Sequence, residues 1–424
     1  MKVISLLGGY GSSVITALTA QNTLGVQGIF PVPVPFVEQQ LQSVLSDIGA
    51  DAVKTGMLAQ AAIMVAVARA VKKFKLKKLV LDPVMVSESG HALLEEKAEV
   101  ILRETLFPLA GLITPNLREA SILVGKPIRT MAEMKKAARL IKEKTPGAVL
   151  IKGGHLSGSA SDLWFDGTLF REFSCPRIRT PNTHGTGCTF ASAITTYWGQ
   201  GFPLVEAIEK AKVFISRAIS GSQPLGKGHG PTDPYAWFEM ELERFPVIRS
   251  LEKAFQQLQE AKIGHLIPEV QSNLGYALPL AQNMEEVAAW PGRILRFQET
   301  IATLAPPAFG ASRHVARIIL TVMAKFPDTR SAMNIRFSEE LLRLGSKIGF
   351  KIAGFDRRKE PPRIKNREGS SLSWGVSRVL ENTPQVPDII FDRGDIGKEP
   401  MLRVLGRNPG EVVEKILKLN KEPA

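Results

Sequence analysis

Cysteine is nearly absent from this chain of 424 residues, which holds only Cys175 and Cys188. Two cysteines cannot build a disulfide framework, and their scarcity points to a reducing, cytoplasmic setting. Histidines number six, and no His/Cys spacing has the pattern of a zinc site. Long apolar runs are missing as well. The nearest, Ala59–Val71, is interrupted by Arg69, so no membrane span is expected. The apolar start of Met1–Ala20 is broken by Gly8, Gly9, Tyr10, Gly11, Ser12 and Ser13, which argues against a secretion signal. Acidic residues fall short of basic ones, 41 against 54, leaving a formal net charge of +13. The basic residues are densest in Val71–Lys78 and Asp356–Arg367 but form no arm, and no nucleic-acid-binding motif is visible. Anionic small molecules such as phosphates and nucleotides suit that charge, and no nucleic acid or membrane partner is expected.

What is present organises into two blocks, since a chain of this length exceeds one hydrophobic core. In the first half, short apolar runs end in polar or glycine residues. Leu79-Val80-Leu81 stops at Asp82-Pro83, Leu112-Ile113-Thr114 at Pro115-Asn116, and Val149-Leu150-Ile151 at Lys152-Gly153-Gly154. Helical patterns such as Met134–Lys144 lie between them, and Leu163–Phe173 reads as a hairpin around Asp166-Gly167. The alternation predicts an α/β fold: a mostly parallel sheet with helices on both faces and ligands at the strand ends. The cluster Lys227–Pro234 closes this block, with the boundary expected within 235–262. Tyr235–Lys262 reads as a helical connector, and a second α/β block runs over 263–424. Within that block the charged stretch Arg357–Glu368 is expected to be an exposed loop.

The most informative stretch is His184-Gly-Thr-Gly-Cys-Thr189, followed by the apolar helix signal Phe190, Ala191, Ala193 and Ile194. A glycine-rich turn opening a helix aims free backbone N–H groups at one point, so Gly185, Thr186 and Gly187 are expected to form an anion hole. Cys188 falls in the first helical turn, where a thiolate is favoured. An anion hole beside an activated side chain suits phosphoryl transfer to a hydroxyl. A buried cysteine behind a glycine-capped turn is the plainer alternative.

Six motifs occur in one order: Ala20-Gln-Asn-Thr23, Asp82-Pro-Val-Met85, Thr114-Pro-Asn-Leu-Arg-Glu119, Lys152-Gly-Gly-His155, the His184–Thr189 turn, and Gly228-His-Gly-Pro231. Over roughly 1–234 they resemble the hydroxymethylpyrimidine and phosphomethylpyrimidine kinases of the ribokinase superfamily. The resemblance implies ATP as phosphate donor with Mg²⁺, which Asp82 and Glu119 are suited to organise. Asn116 and Lys152 would contact nucleotide phosphate. Cys188 would be the base, in the position where most sugar kinases of the superfamily carry an Asp. Gln21 would meet the donor–acceptor edge of an aminopyrimidine, with Met57 and Val84 as apolar walls. Helix capping is the structural alternative for Asp82, Asn116 and Glu119. The family also implies a dimer.

One departure stands out. The family begins with a β-strand and a glycine-rich segment carrying an Asp, and here the sequence starts inside the helix that follows. The first strand is therefore expected to be missing. A misassigned start is the preferred reading, because every downstream motif persists; an impaired kinase domain is the alternative.

From about 263 onward the chain resembles the ThiN-type thiamine-phosphate synthase domain. Ile267–Ala277, Pro291-Gly-Arg-Ile294, Phe309–Arg317, Arg330–Arg336 and Gly394–Pro400 carry the likeness. It implies coupling of a pyrimidine diphosphate to thiazole phosphate with release of pyrophosphate. Arg293 and His314 match the positions the family is thought to need, and an ordinary histidine titrates near neutrality. Arg313 is a planar cation suited to phosphate. Ser312, Asn334, Arg336, Asp356, Asp395 and Lys398 are further candidates for phosphate or Mg²⁺ contact. Together the two resemblances imply a bifunctional thiamine-biosynthesis enzyme whose first product feeds its second site. A sensor of thiamine phosphates and a pyridoxal-type kinase are the alternatives.

Overall fold

A computed structural model describes residues 1–85, 98–154, 156, 160–361, 370–381, 383–395 and 397–420. His155 of the fourth motif, and 362–368 of the charged stretch, lie outside the described residues. The chain divides into two compact units, Met1–Phe238 and Glu239–Ala424.

The first unit opens with a short helix, α1 (Lys2–Leu6), and an antiparallel pair, β1 (Ala17–Asn22) and β2 (Gly25–Pro31). There follow α2 (Val34–Asp47), β3 (Val53–Thr55), α3 (Ala61–Lys73), β4 (Leu79–Leu81), α4 (Ala98–Ile101) and β5 (Leu112–Ile113). Next come α5 (Leu117–Val124), α6 (Met131–Lys142), β6 (Ala148–Ile151), β7 (Ala160–Phe165), β8 (Phe170–Cys175), α7 (Thr186–Gly199) and α8 (Leu204–Ser220). The sheet has the order β3-β4-β5-β6-β7-β8; the first four strands are parallel, and β7 and β8 return antiparallel. The β7–β8 turn is held by Asp166, whose Oδ1 accepts from the amides of Thr168 and Leu169 at 2.7 and 2.8 Å.

Strand alternation explains the two layers. Leu79, Leu81, Ile113, Val149 and Ile151 face a core containing Ile63, Met64 and Val67 of α3 and Ala137 and Ile141 of α6. Val80, Leu112, Ala148 and Leu150 face the opposite core, with Phe190 and Ile194 of α7 and Phe214 and Ile215 of α8. The α6 helix starts three residues before its apolar pattern because Thr130 and Glu133 form a capping box.

The stretch 235–262 folds as two helices, α9 (Tyr235–Leu242) and α10 (Arg244–Glu260). Val247, Leu251, Ala254 and Leu258 of α10 are buried in the second unit, where Phe255 lies 4.8 Å from Trp290, ring centre to ring centre. That unit continues with β9 (Leu274–Ala277), β10 (Val287–Ala289), the hairpin β11 (Ile294–Phe297) and β12 (Thr300–Thr303), β13 (Ala308–Phe309), α11 (Arg313–Met323), β14 (Ser331–Arg336) and α12 (Glu339–Lys347). It ends with β15 (Ile352–Phe355), α13 (Ser370–Glu381), β16 (Ile389–Asp392), β17 (Met401–Gly406) and α14 (Pro409–Leu419). The main sheet runs β13-β10-β9-β14-β17-β16-β15 and is antiparallel except for the β15–β16 pair. Val315, Ile318, Ile319 and Val322 form one stripe of α11 and are almost fully buried against Val376 and Leu380 of α13 and Ala277, Ile390 and Leu405 of the sheet. Burial of each such side chain is worth about 1.5–3 kcal/mol.

The charged stretch departs from its expected exposure at its first residues. Arg357 and Glu360 are buried, because the first pairs with a strand carboxylate and the second with Lys398.

Candidate functional site

Four parallel strands of the first unit end side by side, and the residue that follows each is Gly56, Asp82, Thr114 or Lys152. Asp82 is 2 % exposed. Its Oδ1 receives the Lys152 ammonium at 2.7 Å and the Thr114 hydroxyl at 3.1 Å, and Lys54 Nζ lies 3.9 Å from Oδ2. Burial alone would raise the Asp82 carboxyl, but Lys152 and Lys54 hold it below the ordinary carboxylate range. Burial likewise disfavours the Lys152 cation, yet Asp82, Glu119 and Cys188 raise its pKa above the usual lysine value.

Asn116 and Glu119 form a capping box on α5. Asn116 Oδ1 accepts from the Glu119 amide at 2.9 Å, and Glu119 Oε2 accepts from the Asn116 amide at 2.8 Å. Burial pushes Glu119 up to about 7, against the pull of Lys152 and with help from the Asp82 charge. Asn116 also bridges to Lys152 across the strand ends. The capping alternative is thus realised for Asn116 and Glu119, with Asp82 and Lys152 beside them. The two carboxylates are close enough for the Asp82 charge to add to the burial that raises Glu119, and a pair of neighbouring carboxylates suits a divalent cation.

Gly185 caps α7 in the left-handed region (φ 79°), and Thr186, Gly187 and Cys188 make the first turn. Cys188 is exposed. A Cβ on Gly187 would lie 3.2 Å from Lys152 Nζ, so the ammonium sits directly against the turn. One cation therefore touches both the strand-end acid and the glycine turn. The Gly228–Thr232 segment pins the turn from outside, with His184 N donating to Gly230 O at 3.0 Å and Thr232 N to His184 O at 3.0 Å. Gln21 on β1 comes within 3.5 Å of His184 through its Nε2. Half-buried Met57 accepts from the Thr16 hydroxyl through its carbonyl at 2.8 Å, just ahead of β1. Val84, also half-buried, lies two residues beyond Asp82.

In the second unit the strand ends again gather charge. Asp392, at the end of β16, is 0 % exposed. It accepts from Arg357 Nε at 2.6 Å and Nη2 at 3.1 Å, from Arg403 Nη2 at 2.7 Å, and from the Gly394 amide at 2.9 Å. Burial would raise its carboxyl, but the two guanidiniums hold it below the ordinary value. His314 is the second residue of α11. The residue as a whole is exposed, but desolvation by the protein packed around it, and then the charges of Arg403, Arg293, Arg357 and Arg317, push it down to about 4. The histidine is therefore neutral at physiological pH, unlike the near-neutral titration expected from sequence.

The other sequence candidates divide. Arg293 adopts a positive φ of 72° and donates to the Val270 carbonyl. The neighbouring 269–270 amides bond to Glu399 at 3.1 Å, which ties this loop to the one carrying Asp395 and Lys398. Those two residues close a tight turn through reciprocal backbone bonds of 3.0 and 2.8 Å. Asn334 is buried and committed to structure: Oδ1 accepts from Asn273 N at 2.8 Å and Nδ2 donates to Gln271 O at 3.0 Å. Asp356 caps the turn at Arg357–Lys359 and is held by Arg358, which lowers it to about 2. Ser312 is the N-cap of α11, and Arg313 and Arg336 are exposed. Lys54, Arg317, Arg357, Asp392 and Arg403 were not singled out as site residues by sequence reasoning.

Comparison with known proteins follows the same division. The family described as phosphomethylpyrimidine kinase matches residues 1–233, and that described as thiamine-phosphate synthase ThiN matches 250–418. The bifunctional thiamine biosynthesis protein ThiDN of Methanocaldococcus jannaschii is 32% identical over 99% of this chain and 94% of its own. The thiamine biosynthesis bifunctional protein ThiED of Geobacter sulfurreducens is 53% identical over 55% of this chain. That match spans only 48% of the Geobacter protein, and matches to bifunctional enzymes of Oryza sativa and Arabidopsis thaliana span 43% and 46% of theirs. A pyridoxal kinase of Bacillus subtilis, solved as an ADP complex, aligns with a TM-score of 0.52 and 36% identity over 56% of this chain and 90% of that one. The chain therefore belongs to the ThiDN-type bifunctional family, a ribokinase-fold phosphomethylpyrimidine kinase domain followed by a ThiN thiamine-phosphate synthase domain.

Proposed function

We propose that the first unit uses ATP to phosphorylate hydroxymethylpyrimidine and then its monophosphate, and that the second couples the diphosphate to thiazole phosphate. The observation that carries the kinase reading is Lys152, whose ammonium meets both Asp82 and the Gly187 turn. Phosphoryl transfer depends mainly on positioning and on stabilising charge that develops on the phosphoryl oxygens. The Gly187 and Cys188 amides at the start of α7 and Lys152 supply that stabilisation, whereas the Thr186 amide, expected to take part, already donates to the Thr183 carbonyl at 3.1 Å. Asn116 and Lys152 orient the nucleotide. Cys188 Sγ takes the hydroxymethyl proton as that oxygen attacks the γ-phosphorus and ADP departs. Asp82 and Glu119 would hold Mg²⁺, which when bound offsets phosphate charge. Gln21 offers an amide donor and acceptor to the pyrimidine edge, with Met57 and Val84 as apolar walls.

In the second unit the carbon–oxygen bond to the diphosphate breaks, and the electron pair leaves with pyrophosphate. The thiazole nitrogen then forms the new bond to the pyrimidine methylene. Arg293 and the cations around His314 stabilise the leaving group. The anion offsets these cations as it binds, so His314 gains a proton and donates it to the departing pyrophosphate.

Supplying purified full-length chain with hydroxymethylpyrimidine, ATP and Mg²⁺, then with thiazole phosphate, tests both steps by product analysis. Cys188→Ala should abolish phosphorylation and spare coupling from supplied diphosphate, and His314→Ala should do the converse. Equal loss of both activities in either variant contradicts the assignment of one reaction to each unit. Pyridoxal belongs in the same assay, because a pyridoxal kinase shares this fold; preferential phosphorylation of pyridoxal would replace the pyrimidine reading.

A further inference from the structure

Three of the charged side chains buried in the second unit meet in one cluster, and among the described residues their charges do not cancel. Arg357 is 7 % exposed, Asp392 0 % and Arg403 1 %. Asp392 binds Arg357 in a two-point contact through Nε and Nη2 and takes one bond from Arg403. Two guanidiniums against one carboxylate leave an excess of one positive charge. Arginine does not shed its proton at any physiological pH, and a buried charge without a full partner is costly. Glu360, in the same turn as Arg357, does not cancel the excess because Lys398 stands 3.6 Å from it. Arg403 Nε and Nη1 have no hydrogen-bond partner among the described residues. The excess charge also reaches His314, on which Arg357 and Arg403 act together with Arg293 and Arg317.

We propose that this triad is an anion seat for the diphosphate end of the coupling substrate, with Arg357 contacting the diphosphate and Asp392 and Arg403 as positioning residues. The inference rests on the coupling reading for the choice of anion. Arg357 is the more exposed of the two guanidiniums and lies at the strand end, in the turn after β15. Its two-point contact with Asp392 fixes the plane of the fork, so that the remaining N–H groups face an anion without further ordering. Arg403 stands behind as fixed charge. The carboxylate holds the two like charges together in the empty site, and the arriving anion neutralises the excess.

Calorimetric titration of the full chain with inorganic pyrophosphate tests the seat, with inorganic phosphate as the weaker comparison. Arg357→Gln should weaken pyrophosphate binding roughly 10- to 100-fold, raise KM for the pyrimidine diphosphate in parallel, and leave the melting temperature close to wild type. Arg357→Lys should recover part of the affinity, because it restores charge without the fork. Arg407→Gln, just past the far end of β17 and ion-paired with Glu411, should bind as wild type does. Asp392→Asn should also weaken binding, but the Arg357 pair decides the matter if that variant folds poorly. Wild-type affinity in both Arg357 variants, or no pyrophosphate binding by the wild-type chain, overturns the seat. Arg357-dependent pyrophosphate binding without any thiamine phosphate formation would keep the seat and overturn the coupling reading instead.

Discussion

Lys152 Nζ lies 2.7 Å from Asp82 Oδ1, across 70 residues of sequence, and both side chains are largely buried. Removing one partner of such a pair leaves the other charge stranded, which typically costs about 3–5 kcal/mol. Lys152→Met should therefore abolish kinase activity and lower the stability of the first unit by that order. Adding Asp82→Asn to Lys152→Met should restore much of the stability and none of the activity. Denaturant unfolding of the two single variants and the double variant measures the coupling. Additive losses would mean that the pair is not a unit.

Glu119 supplies a pH dependence with a defined sign. Burial raises its pKa from 4.5 to about 7, so the folded state holds the proton more tightly than the unfolded state. The stability this group contributes is fully present below 4.5 and is lost as pH rises through 7. Glu119→Gln keeps an oxygen to accept the Asn116 amide but cannot ionise. Relative to this variant, the wild-type chain should lose roughly 3 kcal/mol of unfolding free energy across that window. Urea unfolding at a series of pH values reads the difference directly, and a flat difference would remove Glu119 from the linkage.

His314 behaves as the opposite case. Crowding and four guanidiniums set its pKa near 4 in the free protein. A bound diphosphate cancels part of that field, so the imidazole should titrate markedly higher in the presence of pyrophosphate. The imidazole resonance, assigned by its loss in His314→Ala, follows the midpoint by NMR. An unmoved midpoint at saturating pyrophosphate would separate His314 from the anion site.

How much of this was legible before the structure depends on where a residue sits relative to its strand. Asp82, Asn116, Glu119 and Lys152 lie just past apolar strands, where a polar residue interrupts the run and attracts notice. Lys54 and Arg403 lie inside strands, in Val-Lys-Thr and Met-Leu-Arg-Val-Leu. Alternation would assign either to a solvent face, yet Arg403 is buried among wholly buried neighbours. Its signal was a charge within an otherwise apolar run, which identifies an oddity but not a partner. Asp392 follows Ile-Ile-Phe and resembles any strand terminus. Pairing these two needed the β16–β17 register, which brings Arg403 opposite Ile390, two residues from Asp392. The fold class was readable because its signal is local periodicity. The triad was not, because nothing local in sequence joins Arg357, Asp392 and Arg403.

The two glycines flanking Thr186 have different duties, and substitution should separate them. Gly185 adopts a φ of 79°, and a Cβ there would meet nothing within 4 Å. Gly185→Ala is therefore strained without being crowded, and should cost about 1 kcal/mol of stability from the left-handed backbone alone. Gly187 has no positive φ, but its added Cβ would press on Lys152 Nζ at 3.2 Å. The ammonium can yield by a few tenths of an ångström, so Gly187→Ala should fold nearly as well as wild type. That small displacement moves the cation away from the anion hole, where misplacement is felt strongly in the rate. Gly187→Ala should thus lower kcat by a larger factor than Gly185→Ala, while Gly185→Ala shows the lower melting temperature. The reverse pattern would show that Lys152 does not act through this turn.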